Sequence, residues 1–561
     1  MTLDLLAARA SCEAGLVGDS PPPLDWLRES WREPDAFFRA LVEQHARHAS
    51  PASKSHPGEG FDFAHDLVLR HPPERTALLA SAPRRGLRAL SYGELEQRSR
   101  RLADDWSARG LEPGAPVCLL LPLGEELVVA LIAALRLGLV ITLLPPGGPR
   151  WLAPRLASTR ATVVTTRDHA SLVRANPTIF LGEPPRAKSA SRRASFTYAP
   201  DAVAARLFSQ HTAGHEPLPL RARDLYLGAL RDGLLALSLR PGDALAAPGT
   251  PLVSHQPALL LAALACGATY VHLELDAIAA DPSLLTALPL RAIGVTAALR
   301  DLLARAGDEP LRWAHWFRDP EERLDWPAWR RFIAARRLGD TPASNLLVDA
   351  STGGAVLWSL RRRGRVHVEV LPAAGAPWTL GAIGRVDADG RGPEASGDVG
   401  LFARAGDERR PYLILMRSGD ELVYGGTWDA RVDGRVYPGA EVAAVASALP
   451  FVEGAHVVLD RAGPLGQTLR VLVAFTGARV AGASERRALD AALAHALGPE
   501  LLPDRVLLVP LYPRRADDGV ALDEPWCERQ YAAGRLHHKP RQPFYQLLTR
   551  LRASAVATRR P

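Results

Sequence analysis

Lysine is scarce in this 561-residue chain, although the chain is basic overall. Lysine and arginine together number 68, and only three of them are lysines: Lys54, Lys188 and Lys539. A function that needs an ammonium group at a particular point of the chain therefore has three candidates at most.

Cysteine is also sparse, and its positions are far apart. No Cys-x-x-Cys pair stands near a second such pair or near paired histidines, so the sequence predicts neither a zinc site nor a disulfide framework. The four cysteines are Cys12, Cys118, Cys266 and Cys527.

Long apolar runs are absent as well. The longest, Val128–Leu135 and Pro257–Ala265, are too short to cross a bilayer. Met1–Ala14 lacks a basic start followed by an apolar run, so no signal peptide is expected. The sequence predicts a cytoplasmic protein without a membrane partner.

The net charge of +7 raises the question of nucleic-acid binding. Arginine is spread along the chain, with a local run at Arg361–Arg365 and another near the C-terminus. Zinc fingers, RNP-like aromatic motifs and a clear helix-turn-helix are missing from the sequence. Nucleic acid is therefore not an expected partner, and a nucleic-acid or assembly scaffold is only the third functional hypothesis.

Alternating strands and helices dominate the first two thirds of the chain. Val117–Leu121 and Val140–Leu144 are continuous apolar strands, and the helix Glu125–Leu137 between them ends at Gly138. Such alternation predicts a parallel sheet covered on both faces. Ser91 and the glutamate three residues later predict a capping box for the next helix.

Regular structure weakens in two regions. Residues Thr178–Pro200 are polar and basic, and they predict a connection without regular elements. After Gly354 short strands alternate with Gly, Pro and Asp, which predicts a β-rich region. The predicted divisions are a lead segment (1–58), a large domain (59–426), a small α+β domain (427–525) and a basic tail (526–561).

Several motifs follow one another in a characteristic order. Leu90–Leu95 is similar to the pattern T-Y-x-E-L, Gly147–Leu156 to G-G-F-x-x-x-x-L-x-x-R-I, and Arg417–Asp420 to R-T-G-D. In this order the chain resembles the adenylate-forming superfamily of acyl-CoA synthetases, adenylation domains and luciferases, and especially its acetyl-CoA synthetase branch. The resemblance implies an α/β fold. Its large N-terminal domain would have two sandwiched α/β sub-domains and a β-rich sub-domain, followed by a small C-terminal α+β domain.

The resemblance also implies a chemistry, in which ATP and a carboxylic acid give an acyl-adenylate and a thiol then accepts the acyl group. Positioning and neutralisation of phosphate charge assist such a reaction. The segment similar to the family's phosphate loop is Ser209–Leu218, where Thr212 and Gly214 match. Gln210 replaces a glycine and Leu218 replaces the lysine. The alternative interpretation of this segment is a plain β-turn-helix connection.

The segment similar to the family's magnesium motif is Asp349–Gly354. Thr352 matches the threonine, but Gly353, or Ser351 under a shifted alignment, stands where a glutamate would hold Mg²⁺. Neither is a carboxylate and Asp349 is the only nearby replacement, so no metal ligand is assigned. Near the C-terminus, Val520 stands where a lysine would reach the reacting carboxylate, and Lys539 lies too far along the chain to be assumed a substitute. We therefore assign no catalytic residue.

Other positions keep a possible binding role. By resemblance, Asp420 suits a ribose, His255 and Val295 suit the acyl pocket, and Asp429 suits the hinge between domains. Asp420 could equally be a turn aspartate, and His255 could be an ordinary packing residue. The first hypothesis is a degenerate homologue that binds a small-molecule acid, a nucleotide, a carrier protein or a partner ligase without adenylation.

The second hypothesis is an active acyl-activating ligase with altered phosphate contacts. Arg221 and Arg223 could then supply compensating charge, although a guanidinium differs from an ammonium in geometry. ATP or AMP and Mg²⁺ are expected as cofactors only if activity is retained.

Overall fold

The computed structural model describes most of the chain, and all structural statements below concern the residues it describes. These are residues 34–48, 53–55, 59–82, 86–184, 194–208, 217–250, 255–307, 309–319, 326–349, 354–362, 365–370, 378–379, 383–386, 393–403, 411–418, 421–429, 434–435, 439–460, 469–477, 479–497, 502–514 and 522–536.

A six-stranded sheet forms the first layer, in the order β6-β5-β3-β4-β7-β8. Its strands pair in parallel except β7 and β8, which are antiparallel. The strands are β3 (Pro116–Leu120), β4 (Val140–Leu144), β5 (Thr162–Thr165), β6 (Thr178–Phe180), β7 (Val203–Leu207) and β8 (Leu218–Arg221).

A nine-stranded sheet forms the second layer, in the order β15-β14-β13-β12-β11-β9-β10-β1-β2. Its centre is parallel, and its outer strands β2, β14 and β15 are antiparallel. The strands are β1 (Thr76–Ala82), β2 (Gly86–Ser91), β9 (Ala244–Ala246), β10 (Thr269–His272), β11 (Ala292–Gly294), β12 (His315–Arg318), β13 (Ala343–Asp349), β14 (Gly354–Arg362) and β15 (Arg365–Val370).

The helices follow the strands with the expected alternation. They are α1 (Pro34–His48), α2 (Tyr92–Ala108), α3 (Glu125–Leu137), α4 (Pro149–Thr159), α5 (Ala222–Arg231), α6 (His255–Ala265), α7 (Leu275–Ala280), α8 (Ser283–Thr286), α9 (Ala297–Arg305), α10 (Trp326–Ala335), α11 (Gly439–Ser447), α12 (Ala483–Leu497) and α13 (Glu524–Ala532). A 3-10 turn covers Arg167–Leu172, and π-helical turns cover His65–Leu69 and Asp232–Ala236.

The two sheets share one core through the helices between them. All residues of α6 are buried, and most residues of α3 and α5 are buried too. One hydrophobic cluster joins these helices to strands of both sheets. A helix that is apolar on nearly every side, as α6 is, must be enclosed on every side, which explains why α6 lies inside the sandwich. The expected α/β class with sandwiched sub-domains is confirmed.

The β-rich region forms an antiparallel sheet in the order β16-β18-β19-β20-β21, with β17 paired to β18. Its strands are β16 (Trp378–Thr379), β17 (Ile383–Val386), β18 (Pro393–Ala403), β19 (Pro411–Ser418), β20 (Glu421–Asp429) and β21 (Gly434–Arg435). The small C-terminal unit has the sheet β22 (Gly454–Asp460), β23 (Leu469–Phe475) and β24 (Arg505–Val509), covered by α11, α12 and α13.

Two details differ from the sequence predictions. β6 lies within Thr178–Pro200, which we expected to be an irregular connection; three residues are too few for the pattern of a strand to be recognised. Helix α13 begins at Glu524 and packs with β22, so the helix crosses the predicted boundary between the small domain and the tail. Among the described helices, none has the length and apolar character that crossing a membrane requires.

The capping box of α2 is confirmed. Ser91 Oγ accepts the Glu94 N–H at 3.1 Å, and the Ser91 N–H donates to Glu94 Oε2 at 2.9 Å. Replacing Ser91 by alanine leaves the Glu94 N–H without its side-chain acceptor and should destabilise α2 by about 1 kcal/mol. Amide hydrogen exchange of Tyr92–Ala108 measures this loss. Ser91→Asp keeps a capping oxygen, so a loss of similar size in that variant would contradict the assignment.

Candidate functional site

The predicted acyl-pocket residues lie at the carboxyl edge of the nine-stranded sheet. The chain passes from β9 to β10 on one side and then returns to β11 on the other side of β9, so strand order reverses there. Open α/β sheets bind ligands in the crevice at such a reversal. Val295 directly follows β11, and its N–H donates to the Phe317 carbonyl at 2.8 Å. His255 is the first residue of α6.

Both residues are buried, each with 1% of its surface exposed. His255 Nε2 lies 3.6 Å from a carboxylate oxygen of Asp319, which follows β12 and is also buried. The sequence prediction did not include Asp319. Its signal is an acidic residue directly after a buried strand, but the sequence alone does not show that His255 faces it. The pair places an imidazole ring beside a carboxylate at this edge of the sheet.

A polar network holds the loop after β9, at the same edge of the sheet as His255 and Val295. Gln256 Nε2 donates to the carbonyls of Ala247 at 2.8 Å and Thr250 at 3.2 Å, and the Tyr270 hydroxyl donates to Gln256 Oε1. Burial raises the pKa of the Tyr270 phenol, so it remains a neutral donor. Residues 247–250 are thus held by a buried side-chain amide.

A small apolar cavity lies between the two sheets at the carboxyl ends of β3 and β4. Its volume is about 20 Å³, roughly the space of one or two water molecules. It is lined by leucines and prolines, with Gln256 as its polar member: Leu119, Leu121, Leu123, Leu127, Leu143, Leu144, Pro145, Gln256 and Pro257.

The structure describes only the last two residues of the phosphate-loop segment, and the final one, Leu218, begins a strand. Thr212 and Gly214 lie outside the described residues and stay predictions. Leu218, which stands where the family has lysine, is the first residue of β8 and pairs with Leu207 of β7. The segment therefore enters an antiparallel hairpin with an aliphatic side chain at that position.

The two arginines that could compensate are both engaged with carboxylates. Arg221 Nε lies 2.9 Å from Asp224, and its Nη1 lies 3.4 Å from Asp201. Arg223 lies 3.6 Å from each of the same two aspartates. Their positive charges are therefore balanced within the protein, and a polyphosphate would have to compete with these carboxylates.

Thr352 and Gly353 of the magnesium-motif segment also lie outside the described residues. The flanking residues Asp349 and Gly354 face each other across β13 and β14. Within the described part of the chain, no group of three or more His, Cys, Asp or Glu side chains is placed to hold a metal ion.

A buried ion pair clamps the start of β14. Asp232 accepts the Ala355 N–H at 2.6 Å, while Arg231 donates to the Ala355 carbonyl at 2.5 Å and to Asp232 at 2.8 Å. A Cβ at Gly354 would lie 2.5 Å from Asp232 Oδ2, so only glycine fits there. The clamp thus fixes the backbone directly after residues 350–353.

Two further candidates belong to the β-rich region. Asp420 lies outside the described residues. Asp429 is the last residue of β20 and pairs with Pro411 of β19 and Gly434 of β21. Its role as a hinge stays a prediction.

Comparisons with known proteins agree with this architecture. Residues 66–227 match the AMP-binding enzyme family. The chain is similar over nearly its whole length to the structure of acetoacetyl-CoA synthetase from Streptomyces lividans, with 18% identity, a TM-score of 0.59 and 98% of each chain covered. It is similar to fatty acyl-adenylate ligase from L. pneumophila with 14% identity, a TM-score of 0.59 and coverage of 85% of this chain and 96% of that chain.

Sequence similarity to curated relatives is confined to short segments. The chain is 38% identical over 90 residues to salicyl-AMP ligase / salicyl-S-ArCP synthetase of Mycobacterium tuberculosis, which covers 16% of each chain. It is 42% identical over 78 residues to 4-coumarate–CoA ligase 5 of Oryza sativa subsp. japonica, which covers 14% of each. Residues 66–227 thus match the AMP-binding enzyme family, and the fold over nearly the whole chain is like that of these solved structures.

Proposed function

We propose that this protein uses the adenylate-forming scaffold to bind a small-molecule ligand or a partner protein and does not catalyse adenylation. The observation that carries the proposal concerns the positive charge available to a triphosphate among the described residues next to the phosphate-loop segment. Leu218 occupies the lysine position in β8, and both nearby arginines are paired with Asp201 and Asp224.

The expected loss of activity is large. Removing one preorganised donor typically costs about 10²–10³ in rate, and such losses do not simply add within one catalytic unit. This chain differs from the family pattern at Leu218, at Gly353 and at Val520, which together replace two ammonium groups and a carboxylate. The fold is compatible with binding because the strand order reverses at β9, and open α/β sheets bind ligands at such a reversal.

The test is acid-dependent ATP–pyrophosphate exchange with a panel of aliphatic and aromatic acids. We expect no exchange above the protein-free background, with an active adenylating enzyme as the assay control. The variant to compare with the natural protein is the triple substitution Leu218→Lys, Gly353→Glu and Val520→Lys, which restores the residue types of the family pattern at these three positions. Acid-dependent exchange by the natural protein, or isolation of an acyl-adenylate, would overturn the proposal in favour of an active ligase.

Calorimetry with ATP and AMP, with and without Mg²⁺, provides the second measurement. Because Gly353 stands where the family has its magnesium-binding glutamate, we expect Mg²⁺ not to strengthen ATP binding. A clear increase in ATP affinity on adding Mg²⁺ would contradict the proposal.

A further inference from the structure

Exposed arginines lie along the amino edge of the nine-stranded sheet, opposite the carboxyl edge where His255 and Val295 lie. The strands β9, β11, β12 and β13 run parallel to one another, so the stretches of chain that enter them meet at this edge. Arg240 precedes β9, Arg312 precedes β12 and Arg337 precedes β13, and all three are exposed. Arginines that are far apart in the sequence are thus gathered on one side of the fold.

Hydrogen bonds hold these entering stretches side by side. Arg291, directly before β11, donates from Nε to the Ser238 carbonyl at 3.1 Å, which joins the entries to β9 and β11. The Leu311 N–H donates to the Arg336 carbonyl at 3.3 Å, which joins the entries to β12 and β13. Because β11 and β12 are themselves paired, the arginines form one row along the edge.

The outer strands β14 and β15 continue this row. Ala343, the first residue of β13, pairs with Arg361 of β14, and Arg362 of β14 pairs with Arg365 of β15. Neighbouring strands are about 4.8 Å apart, so the row from β9 to β14 is about 20 Å long. One side of a standard protein interface covers about 800 Å², and a row of this length would cross most of it.

The exposed arginines have their charges available for another molecule. The side chains of Arg240, Arg312 and Arg337 form no ion pair or hydrogen bond with any other residue that the structure describes. In this they differ from the two arginines near the phosphate-loop segment, which are paired with aspartates. A guanidinium group presents a rigid fork of donors that matches a carboxylate or a phosphate. The row is therefore suited to an anionic partner.

The surroundings of the row favour the carboxylates of a protein over the phosphates of a nucleic acid. Glu309 and Asp340 are exposed in the same entering stretches, so negative charges are interspersed with the positive ones. A continuous phosphate backbone would meet these carboxylates, whereas a protein surface presents charges of both signs. Single-stranded nucleic acids also stack on exposed aromatic rings, and Trp313, the aromatic residue of these stretches, is buried.

We infer that the amino edge of the nine-stranded sheet binds an acidic segment of a partner protein. The row of Arg240, Arg312 and Arg337, continued by the arginines of β14 and β15, supplies charge-assisted hydrogen bonds to carboxylates of that segment. This edge lies opposite the predicted ligand crevice, so the inference holds whether or not the protein catalyses adenylation.

Fluorescence anisotropy of a labelled polyglutamate peptide with the full chain at low ionic strength tests the surface. The natural protein should bind the peptide, and failure to bind would overturn the inference. The triple variant Arg240→Glu, Arg312→Glu and Arg337→Glu should bind at least about tenfold more weakly, because each substitution replaces an attraction by a repulsion.

A matched triple variant separates the row from the overall charge of the protein. Arg101→Glu, Arg174→Glu and Arg479→Glu change the net charge by the same amount, at exposed arginines that lie outside this edge. Peptide affinity should fall by less than about threefold in this variant, because distant surface charges are largely screened. Equal weakening in the two triple variants would overturn the inference, since net charge alone would then account for binding.

A second probe distinguishes the two kinds of polyanion. Single-stranded oligodeoxythymidylate, measured at the same ionic strength, should bind the natural protein more weakly than polyglutamate does. Tighter binding of the oligonucleotide would overturn the assignment of an acidic protein segment in favour of nucleic acid.

Arg337→Gly separates the loss of a guanidinium group from a loss of folding. Arg337 has a φ of 54°, a left-handed conformation that glycine adopts without steric cost, so this variant should fold like the natural protein. Its affinity for polyglutamate should fall by about threefold, and Arg337→Lys, which keeps the charge, should lose less. Unchanged affinity in Arg337→Gly would contradict the place of this residue in the binding row.

Discussion

Replacing Asp232 by alanine will lower the free energy of unfolding of the large domain by about 3–5 kcal/mol. The substitution leaves the Arg231 guanidinium buried without its carboxylate, and it removes the acceptor of the Ala355 N–H. Burial raises the pKa of the Asp232 carboxyl, although Arg231 and the Ala355 N–H favour its charged form. Denaturant unfolding of the purified full chain measures the loss.

The controls distinguish an uncompensated charge from a general loss of contacts. Asp490→Ala breaks the exposed ion pair with Arg486 on α12 and should cost less than about 1 kcal/mol. The double variant Arg231→Met with Asp232→Leu should be more stable than Asp232→Ala, because no lone charge remains buried. Equal losses in the Asp232→Ala and Asp490→Ala variants would show that the clamp does not matter.

Acidification will destabilise the protein steeply below pH 6.5. Burial, followed by the charge of Arg70, lowers the pKa of His45 and of His71 to about 3, and burial lowers that of His272 to about 4. The unfolded chain takes up these protons near pH 6.5, whereas the folded chain does so only near pH 3 to 4. Protons therefore favour unfolding across this window, and the stability present above pH 6.5 is lost as the pH falls.

The free energy of unfolding is expected to change steeply with pH. Each buried histidine contributes about 1.4 kcal/mol per pH unit within the window, and the three together contribute about 4 kcal/mol per unit. The stability lost over two pH units is therefore comparable to the whole free energy of unfolding of an ordinary domain, about 5–15 kcal/mol. Unfolding free energies measured between pH 8 and pH 4.5 provide the test.

His45→Gln is the matched variant for this slope. His45 Nε2 accepts a hydrogen bond from Arg70, and a glutamine carbonyl can accept the same bond without titrating. The slope below pH 6.5 should fall by about 1.4 kcal/mol per unit. An unchanged slope would show that α1, which carries His45, does not hold the ring neutral against Arg70.

These two predictions concern neighbouring parts of one core, because α1, which carries His45, packs against α5, and Asp232 directly follows α5. The clamp at Asp232 fixes the backbone that follows the magnesium-motif segment, and the histidine cluster holds α1 against the body. Each place contains a buried cation, Arg231 in one and Arg70 in the other, and each cation is stable only while its partners stay in position.

Local rules of the chain were enough to predict many elements. The ends of α3 and β4 agree with the sequence prediction, because Gly138 adopts a left-handed conformation with φ of 79° that ends α3. Ser91 likewise determines where α2 begins. Continuous apolar strands predicted a covered parallel sheet, since burial on both faces leaves no alternation.

The missing lysines were also visible in the sequence alone, because a residue type needs no coordinates. Only the tertiary structure decided that Arg221 and Arg223 are paired with carboxylates, that Asp319 faces His255, and that Asp232 holds Ala355 from 123 residues away. Periodicity reports which side of a segment is buried, but it does not report which distant segment covers it. Contacts between charged groups far apart in sequence are therefore set by packing, and packing is a property of the whole fold.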